Sequence, residues 1–388
     1  MQLANEKHTT FAVAVAMLFM FFAALAYLMG CGSTGLPPTR LVVISDSSNN
    51  RVLFYTSPFS TNESASGVLG QGEFMTSGTG LTPETFNEPV NAAQDRFGNI
   101  YVSDLNQNRV LQFKPPFPVP NDENASLVIG QPDFVTGTAN DTQNGLTGPG
   151  GLAFDRSGNL WVVDFGNNRI LEYVPPFTTQ MNATSVLGQG TFTSKAPALT
   201  NSGLFEPHLI AFDASGNLWV TDSGNNRVLE FKPPFANGMA ASIVIGQADF
   251  TSGGAATTAA GLGFPTGIAF DISGNLWIGD TSNNRVLQYT PPFASGMSAS
   301  LVLGQAGLTT GTAATTQSGL SGPFGITFDS SGNLWVADSG NSRTLEFTPP
   351  FSTNQNATVV LGQANFTSNA GTTSATGQKQ PLAVFAAF

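Results

Sequence analysis

The chain has 388 residues, a tenth of them charged, and its 25 acidic against 14 basic residues give a net charge of −11. Such an acidic protein repels phosphate backbones, so the composition excludes nucleic acid as a partner. The single cysteine excludes a disulfide within the chain, and two histidines are too few for a three-histidine zinc site.

The first predicted element is an apolar run without a charge, from Phe11 to Leu28. It ends in Leu28-Met29-Gly30-Cys31, an aliphatic residue, a tolerant position, a small residue and a cysteine. This order is similar to the lipobox of a bacterial lipoprotein signal, and the resemblance implies that Cys31 becomes the lipidated N-terminus after cleavage. A transmembrane anchor over the same run is the alternative. We therefore expect a signal peptide or anchor over residues 1–30 and a linker over residues 31–40.

Either anchor predicts the same location for the rest of the chain. A lipid on Cys31 or an uncleaved N-terminal helix would tether the protein to a membrane, with its bulk outside the cytoplasm. The resemblance to a lipoprotein signal implies a bacterial cell envelope, and Gly32 after the cysteine, instead of an aspartate, favours the outer membrane.

From Leu41 onwards, one pattern of about 58 residues occurs six times. Each copy contains four short β-strand signals bounded by turn residues. In the fourth copy these signals are Pro207 to Asp213, Asn217 to Asp222, Arg227 to Phe231 and Ala241 to Gln247. A period of this length, rich in short strands, is typical of a β-propeller with one four-stranded blade per copy.

The two ends of the repeat region complete each other. The copy that begins at Leu41 lacks the opening strand of the others, whereas Pro381 starts that strand again just before Phe388. We expect residues 381–388 to form the innermost strand of the first blade, paired with Leu41–Ser45, so that no sheet edge stays unmatched. The predicted fold is an all-β, six-bladed β-propeller of four-stranded antiparallel blades over residues 41–388.

The opening half of the repeat carries a longer motif, P-x-G-[IV]-A-[VF]-D-x-x-G-N-[LI]-[YW]-V-x-D-x-x-N-x-R. It occurs at Pro149–Arg169, Pro207–Arg227, Pro265–Arg285 and Pro323–Arg343, and in a looser form at Pro89–Arg109. This motif resembles the NHL repeat, and the resemblance extends over nearly all of residues 41–388. It implies a six-bladed β-propeller, in agreement with the number of copies. Because NHL proteins include enzymes as well as binding modules, the resemblance leaves the function open.

Strand direction decides which loops share a face of the propeller. The D-S-G-N-N-R turns and the long connections after each L-G-Q are predicted on one face, which we call the loop face. The P-P-F turns fall on the other. The Asp and Arg of each turn recur in every copy, so we expect salt bridges that brace the turns instead of a ligand site. These pairs are Asp46 and Arg51, Asp104 and Arg109, Asp164 and Arg169, Asp222 and Arg227, Asp280 and Arg285, and Asp338 and Arg343.

Two sets of repeated aromatic residues are predicted to pack inside the propeller. Trp161, Trp219, Trp277 and Trp335 occupy one position of the second strand, where we expect them to fill the space between blades. A sugar-stacking platform is the alternative. The Phe of each P-P-F turn is expected to staple the third strand to the outer strand, with a partner-docking rim as the alternative.

Positions that differ between copies are better candidates for a ligand site, because a ligand breaks the symmetry of a ring. Glu88 and Glu206 precede the first proline of their copies, His208 follows it, and Asn91 replaces a glycine found in three other copies. We expect these four side chains to face one another across the mouth of the channel. There they could bind a ligand, hold Ca²⁺ at Glu88 and Glu206, or serve as acid and base. Solvated loop residues without a common role are the alternative.

The sequence thus predicts a membrane-tethered, non-catalytic binding propeller that engages an extracytoplasmic protein or glycan through its loop face. The connections Thr251–Gly261 and Thr309–Gly319 are candidate recognition loops, with neutral drift in exposed linkers as the alternative. A divalent-cation-dependent lyase or lactone hydrolase at the channel mouth is the alternative function. Calcium is the only cofactor that these residues suggest, no residue is assigned as catalytic, and the oligomeric state stays open.

Overall fold

The computed structural model describes residues 40–118 and 123–387. Within these residues, strands β1 to β24 form six antiparallel sheets of four strands each. The strands are β1 Leu41–Asp46, β2 Arg51–Thr56, β3 Gly67–Leu69, β4 Pro89–Gln94, β5 Ile100–Asp104, β6 Arg109–Phe113, β7 Leu127–Ile129, β8 Pro149–Phe154, β9 Leu160–Asp164, β10 Arg169–Tyr173, β11 Ser185–Leu187, β12 Pro207–Phe212, β13 Leu218–Asp222, β14 Arg227–Phe231, β15 Ile243–Ile245, β16 Pro265–Phe270, β17 Leu276–Asp280, β18 Arg285–Tyr289, β19 Leu301–Leu303, β20 Pro323–Phe328, β21 Leu334–Asp338, β22 Arg343–Phe347, β23 Val359–Leu361 and β24 Pro381–Ala387. One 3₁₀ turn joins the second and third strands of each sheet: Ser47–Asn49, Leu105–Gln107, Phe165–Asn167, Ser223–Asn225, Thr281–Asn283 and Ser339–Asn341.

The six sheets are blades around one axis. Their innermost strands, β24, β4, β8, β12, β16 and β20, each contact the innermost strands of the two neighbouring blades, which closes a ring. The first blade combines β1, β2 and β3 with β24 from the other end of the chain. In that pairing Leu41 lies opposite Ala387 and Asp46 lies opposite Pro381. The predicted six-bladed propeller and its closure by the C-terminal strand are confirmed.

The turn between the second and third strands ends in a left-handed residue. In the fourth blade, Ser223–Asn225 form the 3₁₀ turn and Asn226 follows with φ 52°. Asn tolerates this conformation because its short polar side chain finds hydrogen bonds nearby. Asn226 Nδ2 donates to the carbonyl of Gly253 (2.9 Å), and Oδ1 accepts from the backbone N–H of Phe264 in the fifth blade (2.8 Å). The turn therefore links its own blade to the next.

The outer strand is shorter than the sequence predicts. In the fourth blade it spans Ile243–Ile245 instead of Ala241 to Gln247. Gly246 ends it, because its φ of +91° turns the chain out of the sheet. The side chain of Gln247 then donates to the carbonyls of Asn226 (2.8 Å) and Gly254 (2.9 Å). The L-G-Q motif thus ends the strand and anchors the connection that follows.

The hydrophobic core lies between the blades. Trp219 of the fourth blade is fully buried and packs with Ile268, Leu276 and Ile278 of the fifth. The equivalent tryptophans of the third, fifth and sixth blades are fully buried as well. These side chains fill the space between neighbouring sheets, as the sequence predicts, and do not form a platform for sugars.

The Phe of the P-P-F turn packs between blades. Phe293 lies against a buried cluster that includes Tyr289 of its own third strand, Val302 of its own outer strand and Trp219 of the blade before it. Phe293 of the fifth blade meets Trp219 of the fourth edge-on, with ring centroids 5.0 Å apart. Phe235 meets Trp161 in the same way at 4.7 Å. The phenylalanine of the turn thus makes a favourable aromatic contact with the tryptophan of the blade before it.

Candidate functional site

The Asp and Arg of each D-x-x-N-x-R turn form a buried ion pair. In the fourth blade, Arg227 Nε donates to Asp222 Oδ2 (2.7 Å), and Nη2 donates to the carbonyls of Thr200 (2.7 Å) and Gly203 (3.1 Å). Both side chains are fully buried. The pair recurs in all six blades at 2.7 to 2.9 Å. These pairs hold the turns and the long connections together, and they are closed to a ligand.

Hydrogen bonds also hold the two candidate recognition connections in place. Thr257 Oγ1 donates to Asn283 Oδ1 (2.5 Å), and the N–H of Gly261 donates to Thr258 Oγ1 (2.9 Å). The next connection repeats both bonds, from Thr315 to Asn341 (2.7 Å) and from Gly319 to Thr316 (2.9 Å). Both loops therefore use equivalent bonds to hold their backbone, although their sequences differ.

A pocket of about 200 Å³ opens on the loop face, where the innermost strands begin, and we call it the mouth pocket. Five blades contribute to it. Its lining residues are Glu88, Val90 and Leu105 of the second blade, Gly150 and Phe165 of the third, His208 of the fourth, Phe324 of the sixth and Leu382 of the first. The mouth pocket is therefore mainly apolar, with Glu88 and His208 as its polar side chains.

Two apolar residues in the 3₁₀ turns form part of the pocket wall. In the other four blades the first residue of this turn has a hydroxyl, and three of these hydroxyls bind the next blade. Ser47, Ser223 and Thr281 each donate to the carbonyl of the first proline in the following blade. Leu105 and Phe165 stand at this position in the second and third blades, and their side chains cannot donate such a bond. They line the mouth pocket instead.

His208 lies among three phenylalanine rings. Its imidazole meets Phe165, Phe264 and Phe324 edge-on, with centroid distances of 4.8, 5.1 and 5.4 Å. Nδ1 lies 3.0 Å from the carbonyl oxygen of Glu206, which assigns the ring proton to Nδ1 and leaves Nε2 as an acceptor. Burial lowers the pKa of His208 to about 4, against the hydrogen bond to Glu206, which raises it. The imidazole is therefore neutral at pH 7.

Glu88 supplies the charge of the mouth pocket. Its backbone is left-handed, with φ 64°, and its N–H donates to Asn50 Oδ1 in the first blade (2.9 Å). Its carboxylate accepts a bond at Oε2 from Asn106 Nδ2 (2.9 Å). The equivalent residues of the other blades share this positive φ: Gly148, Glu206, Phe264, Gly322 and Gln380. The position thus holds its backbone in one conformation and accepts varied side chains.

The structure brings together two of the four predicted site residues. Glu88 and His208 both line the mouth pocket. Asn91 lies further along its strand and lines the channel, where its Oδ1 accepts from the N–H of Leu152 in the third blade (3.0 Å). Glu206 reaches His208 through its backbone carbonyl, and its side chain is not part of the pocket wall. The expected arrangement of all four across the mouth is therefore corrected.

The apolar wall of the mouth pocket was missed by reasoning from the sequence. Its signal is visible, however, when the copies are aligned. Leu105 and Phe165 replace serine or threonine after the central aspartate, and Phe324 and Leu382 follow the first proline as His208 does. Polar residues are the usual carriers of chemistry, so these apolar positions alone do not indicate a site. A pocket that binds by apolar contact needs the opposite emphasis.

Three sequence predictions concern metals and membranes. In residues 40–118 and 123–387, no three His, Cys, Asp or Glu side chains come close enough together to hold a metal ion. The same part of the chain contains no helix that is long and apolar enough to span a bilayer. Cys31 and the predicted signal or anchor over residues 1–30 lie outside the described residues.

Comparisons with known proteins agree with the fold. The family model of the NHL repeat matches residues 146–173, 206–231 and 262–289. No curated protein matches the sequence. A solved structure of a protein of unknown function from Bacteroides caccae is similar, with a TM-score of 0.54 and 10% identity over 90% of this chain and 98% of that one.

Two further solved structures are more distant. A catalytically inactive virginiamycin B lyase from Staphylococcus aureus with quinupristin has a TM-score of 0.43 and 13% identity, over 80% of this chain and 82% of its own. A functionally unknown protein from Desulfotomaculum acetoxidans has a TM-score of 0.46 and 12% identity, over 87% and 83%.

Proposed function

We propose that this six-bladed propeller, which contains NHL repeats, is a binding module that receives one side chain of a partner protein in its mouth pocket. The observation that carries the proposal is a break in symmetry. Ser47 and Thr281 use a hydroxyl to bind the next blade. Leu105 and Phe165 stand at the same turn position without a hydroxyl, and they line a pocket on the loop face. The repeat alone gives no reason for this exchange, whereas a ligand does.

The volume of the mouth pocket favours a single side chain over a whole small molecule. Pockets for drug-sized ligands and cofactors have about 300–1,000 Å³. The mouth pocket has about 200 Å³. A side chain presented by a protein surface fits such a depression, and buried anchors of this kind carry much of the binding energy at protein interfaces.

A protein partner suits the pocket lining better than a glycan does. Sugar hydroxyls need hydrogen-bond partners when they are buried, because an unpaired hydroxyl loses its bonds to water. Among the lining side chains, only Glu88 and His208 offer polar atoms. The apolar remainder of the wall would leave most hydroxyls of a sugar unpaired. Of the two partner classes that the sequence suggests, the lining thus favours protein.

The alternative function, a lyase or lactone hydrolase, would need Glu88, Glu206 and His208 around one divalent cation. Glu88 and His208 share the mouth pocket, but Glu206 contributes a backbone carbonyl that accepts the Nδ1 proton of His208. Moreover, an imidazole with a pKa of about 4 is a weak general base at pH 7. These observations favour binding over catalysis.

We also propose that the protein is tethered outside the cytoplasm, through a lipid on Cys31 or an N-terminal helix. The apolar run from Phe11 to Leu28 and the lipobox-like order Leu28-Met29-Gly30-Cys31 support this proposal.

The test of the binding proposal is a titration of the full-length protein with blocked tripeptides, Ac-Ala-X-Ala-NH₂, in which saturation-transfer NMR measures binding. X is Phe, Leu, Lys, Arg, Glu or Ser, and oligosaccharides of glucose and N-acetylglucosamine are titrated in parallel. At least one peptide should bind saturably and lose about tenfold or more in affinity in the Phe165→Ser variant. This variant installs the residue type of Ser223, so the fold accommodates it.

The control variant is Ile272→Ser, which changes a 99% exposed residue on the opposite face and should leave binding unchanged. Three results would overturn the proposal: binding of glycans alone, binding of no probe, and peptide binding that Phe165→Ser leaves intact.

A further inference from the structure

We infer that the side chain received by the mouth pocket is cationic, a lysine or an arginine, with its aliphatic stem against the apolar wall and its charged head at Glu88. This inference rests on the proposed function of the pocket as a binding site for one side chain.

The polar side chains of the mouth pocket present acceptors. Glu88 contributes a carboxylate, whose Oε2 accepts one bond from Asn106 Nδ2 (2.9 Å), and a carboxylate has room for several more. His208 uses its Nδ1 proton on the carbonyl of Glu206 (3.0 Å), so its Nε2 is an acceptor too. A complementary side chain must therefore bring donors. Lysine and arginine bring donors and no acceptor.

The charge of Glu88 is not used by another ion pair of the propeller. Every buried arginine of the D-x-x-N-x-R turns is paired with its own aspartate, and none of the ion pairs found in the described residues includes Glu88. The backbone N–H of Glu88 donates to Asn50 Oδ1 and its carboxylate accepts from Asn106 Nδ2, and these two bonds hold Glu88 in place. A carboxylate that is already ordered loses little conformational freedom when a cation binds.

The apolar wall suits the stem of the same side chains. Leu105, Phe165, Phe324 and Leu382 surround the pocket. Lysine and arginine bury their aliphatic stems along apolar surface while the charged head reaches a polar group. A short donor such as serine would leave this wall uncovered, and an acidic side chain would meet Glu88 as a like charge. The net charge of −11 also attracts a cationic partner surface.

The test compares two blocked peptides, Ac-Ala-Lys-Ala-NH₂ and its norleucine analogue, on the full-length protein at pH 7. Norleucine keeps the aliphatic stem and lacks the ammonium group, so the pair isolates the contribution of the charge. The lysine peptide should bind at least about tenfold more tightly, as expected for a charge-assisted bond in a partly desolvated site.

Two glutamate variants complete the test. Glu88→Gln should remove the preference for lysine, and the fold accommodates it because Gln380 occupies the equivalent position in the first blade with φ 47°. Glu206→Gln is the matched control, since it makes the same change at the equivalent position of the fourth blade, and it should keep the preference.

The outcomes separate this inference from the proposed function. If the norleucine and lysine peptides bind equally in the unmodified protein, the cationic preference is wrong and the pocket still binds side chains. A preference for the glutamate peptide, or a lysine preference that survives Glu88→Gln, also overturns the inference. If no tripeptide binds at all, both the inference and the proposed function fail.

Discussion

Phe165 and His208 meet edge-on across the boundary between the third and fourth blades, with 4.8 Å between their ring centroids. Phe165 stands at a turn position where Ser47 and Thr281 carry a hydroxyl that binds the next blade. His208 follows the first proline of its blade, where Thr266 stands in the fifth. Neither residue is required by the repeat, yet both line one pocket. Departures from the repeat at two different positions, in two different blades, thus make the pocket asymmetric on a symmetric scaffold.

His208 should titrate well below an exposed histidine. Burial lowers its pKa from 6.5 to about 4. The chain has two histidines, so the full-length His8→Gln variant leaves His208 as the only imidazole signal. In protein labelled with ¹³C-histidine, the ring C–H shift should change with a midpoint at about pH 4. A midpoint near the ordinary value would show that water reaches the ring freely, against the buried site described above.

The lowered pKa of His208 should also make the folded protein less stable in acid. The folded state takes up a proton at His208 less readily than the unfolded chain, so the free energy of unfolding falls as the pH falls from 6.5 to about 4. The full shift corresponds to about 3 kcal/mol, and solvent contact of the half-buried ring reduces this to about 1–2 kcal/mol. His208→Thr, which installs the residue type of Thr266, should lose less stability than the parent protein over this range.

Urea unfolding of both proteins, at a pH above 6.5 and again near pH 4.5, measures the difference. Equal losses in the two proteins would mean that His208 does not contribute to the acid sensitivity.

The buried ion pairs should be far more sensitive to substitution than the exposed ones. Arg227→Leu leaves Asp222 buried without its partner and also removes bonds to Thr200 and Gly203. We expect a loss of about 3–5 kcal/mol in the free energy of unfolding. Lys195→Ala breaks an exposed pair with Asp141 (2.9 Å) and should leave the free energy of unfolding nearly unchanged. Chemical denaturation of both variants provides the comparison, and similar losses would contradict a structural role for the buried pairs.

Asn226 should show two separable contributions to stability. Asn226→Gly keeps the left-handed conformation at φ 52° and removes the bonds to Gly253 and Phe264, which should cost about 1–2 kcal/mol. Asn226→Ala removes the same bonds and adds backbone strain, for a further loss of about 1 kcal/mol. Thermal unfolding of the two variants measures the order. An alanine variant as stable as the glycine variant would mean that the turn relaxes out of the left-handed conformation.

The fold could be predicted from the sequence because each copy of the repeat gives the same information. Pro381, for instance, starts a strand that the copy at Leu41 lacks, and this match between the two ends predicts the closure of the ring. The extent of the outer strand was harder to predict. The sequence pattern begins at Ala241, before the strand, and the positive φ of Gly246 decides where the strand ends. The contact between Phe293 and Trp219 could not be predicted either, because it depends on how closely two blades approach.

Removal of residues 381–388 should disrupt the ring. This truncation deletes β24, which pairs with β1 along its length, and takes Val384 out of the buried cluster between the sixth and first blades. We expect a broad, low-temperature unfolding transition by circular dichroism in place of a cooperative one. A peptide with the sequence of residues 381–388, added in trans, should restore part of the cooperativity. A truncated protein that melts like the parent would refute the role of the C-terminal strand.

The site was only half predictable from the sequence. Glu88 and His208 could be found because they differ from the other copies and carry polar groups. Whether two such residues meet depends on which blades face each other across the mouth and on where each side chain points. The side chains of Asn91 and Glu206 do not line the mouth pocket, although both positions differ from the other copies as well. These properties arise from the curvature of the ring, which no single copy of the repeat encodes.

The most direct test of the binding account is the His208 ring signal of the full-length His8→Gln protein during a titration with Ac-Ala-Lys-Ala-NH₂ at pH 7. This signal reports from inside the mouth pocket, because His208 lines its wall beside Phe165 and Phe324. We expect a saturable shift in the parent protein and its loss in Phe165→Ser. A lysine peptide that binds without moving the His208 signal, or that moves it equally in the variant, would contradict the account.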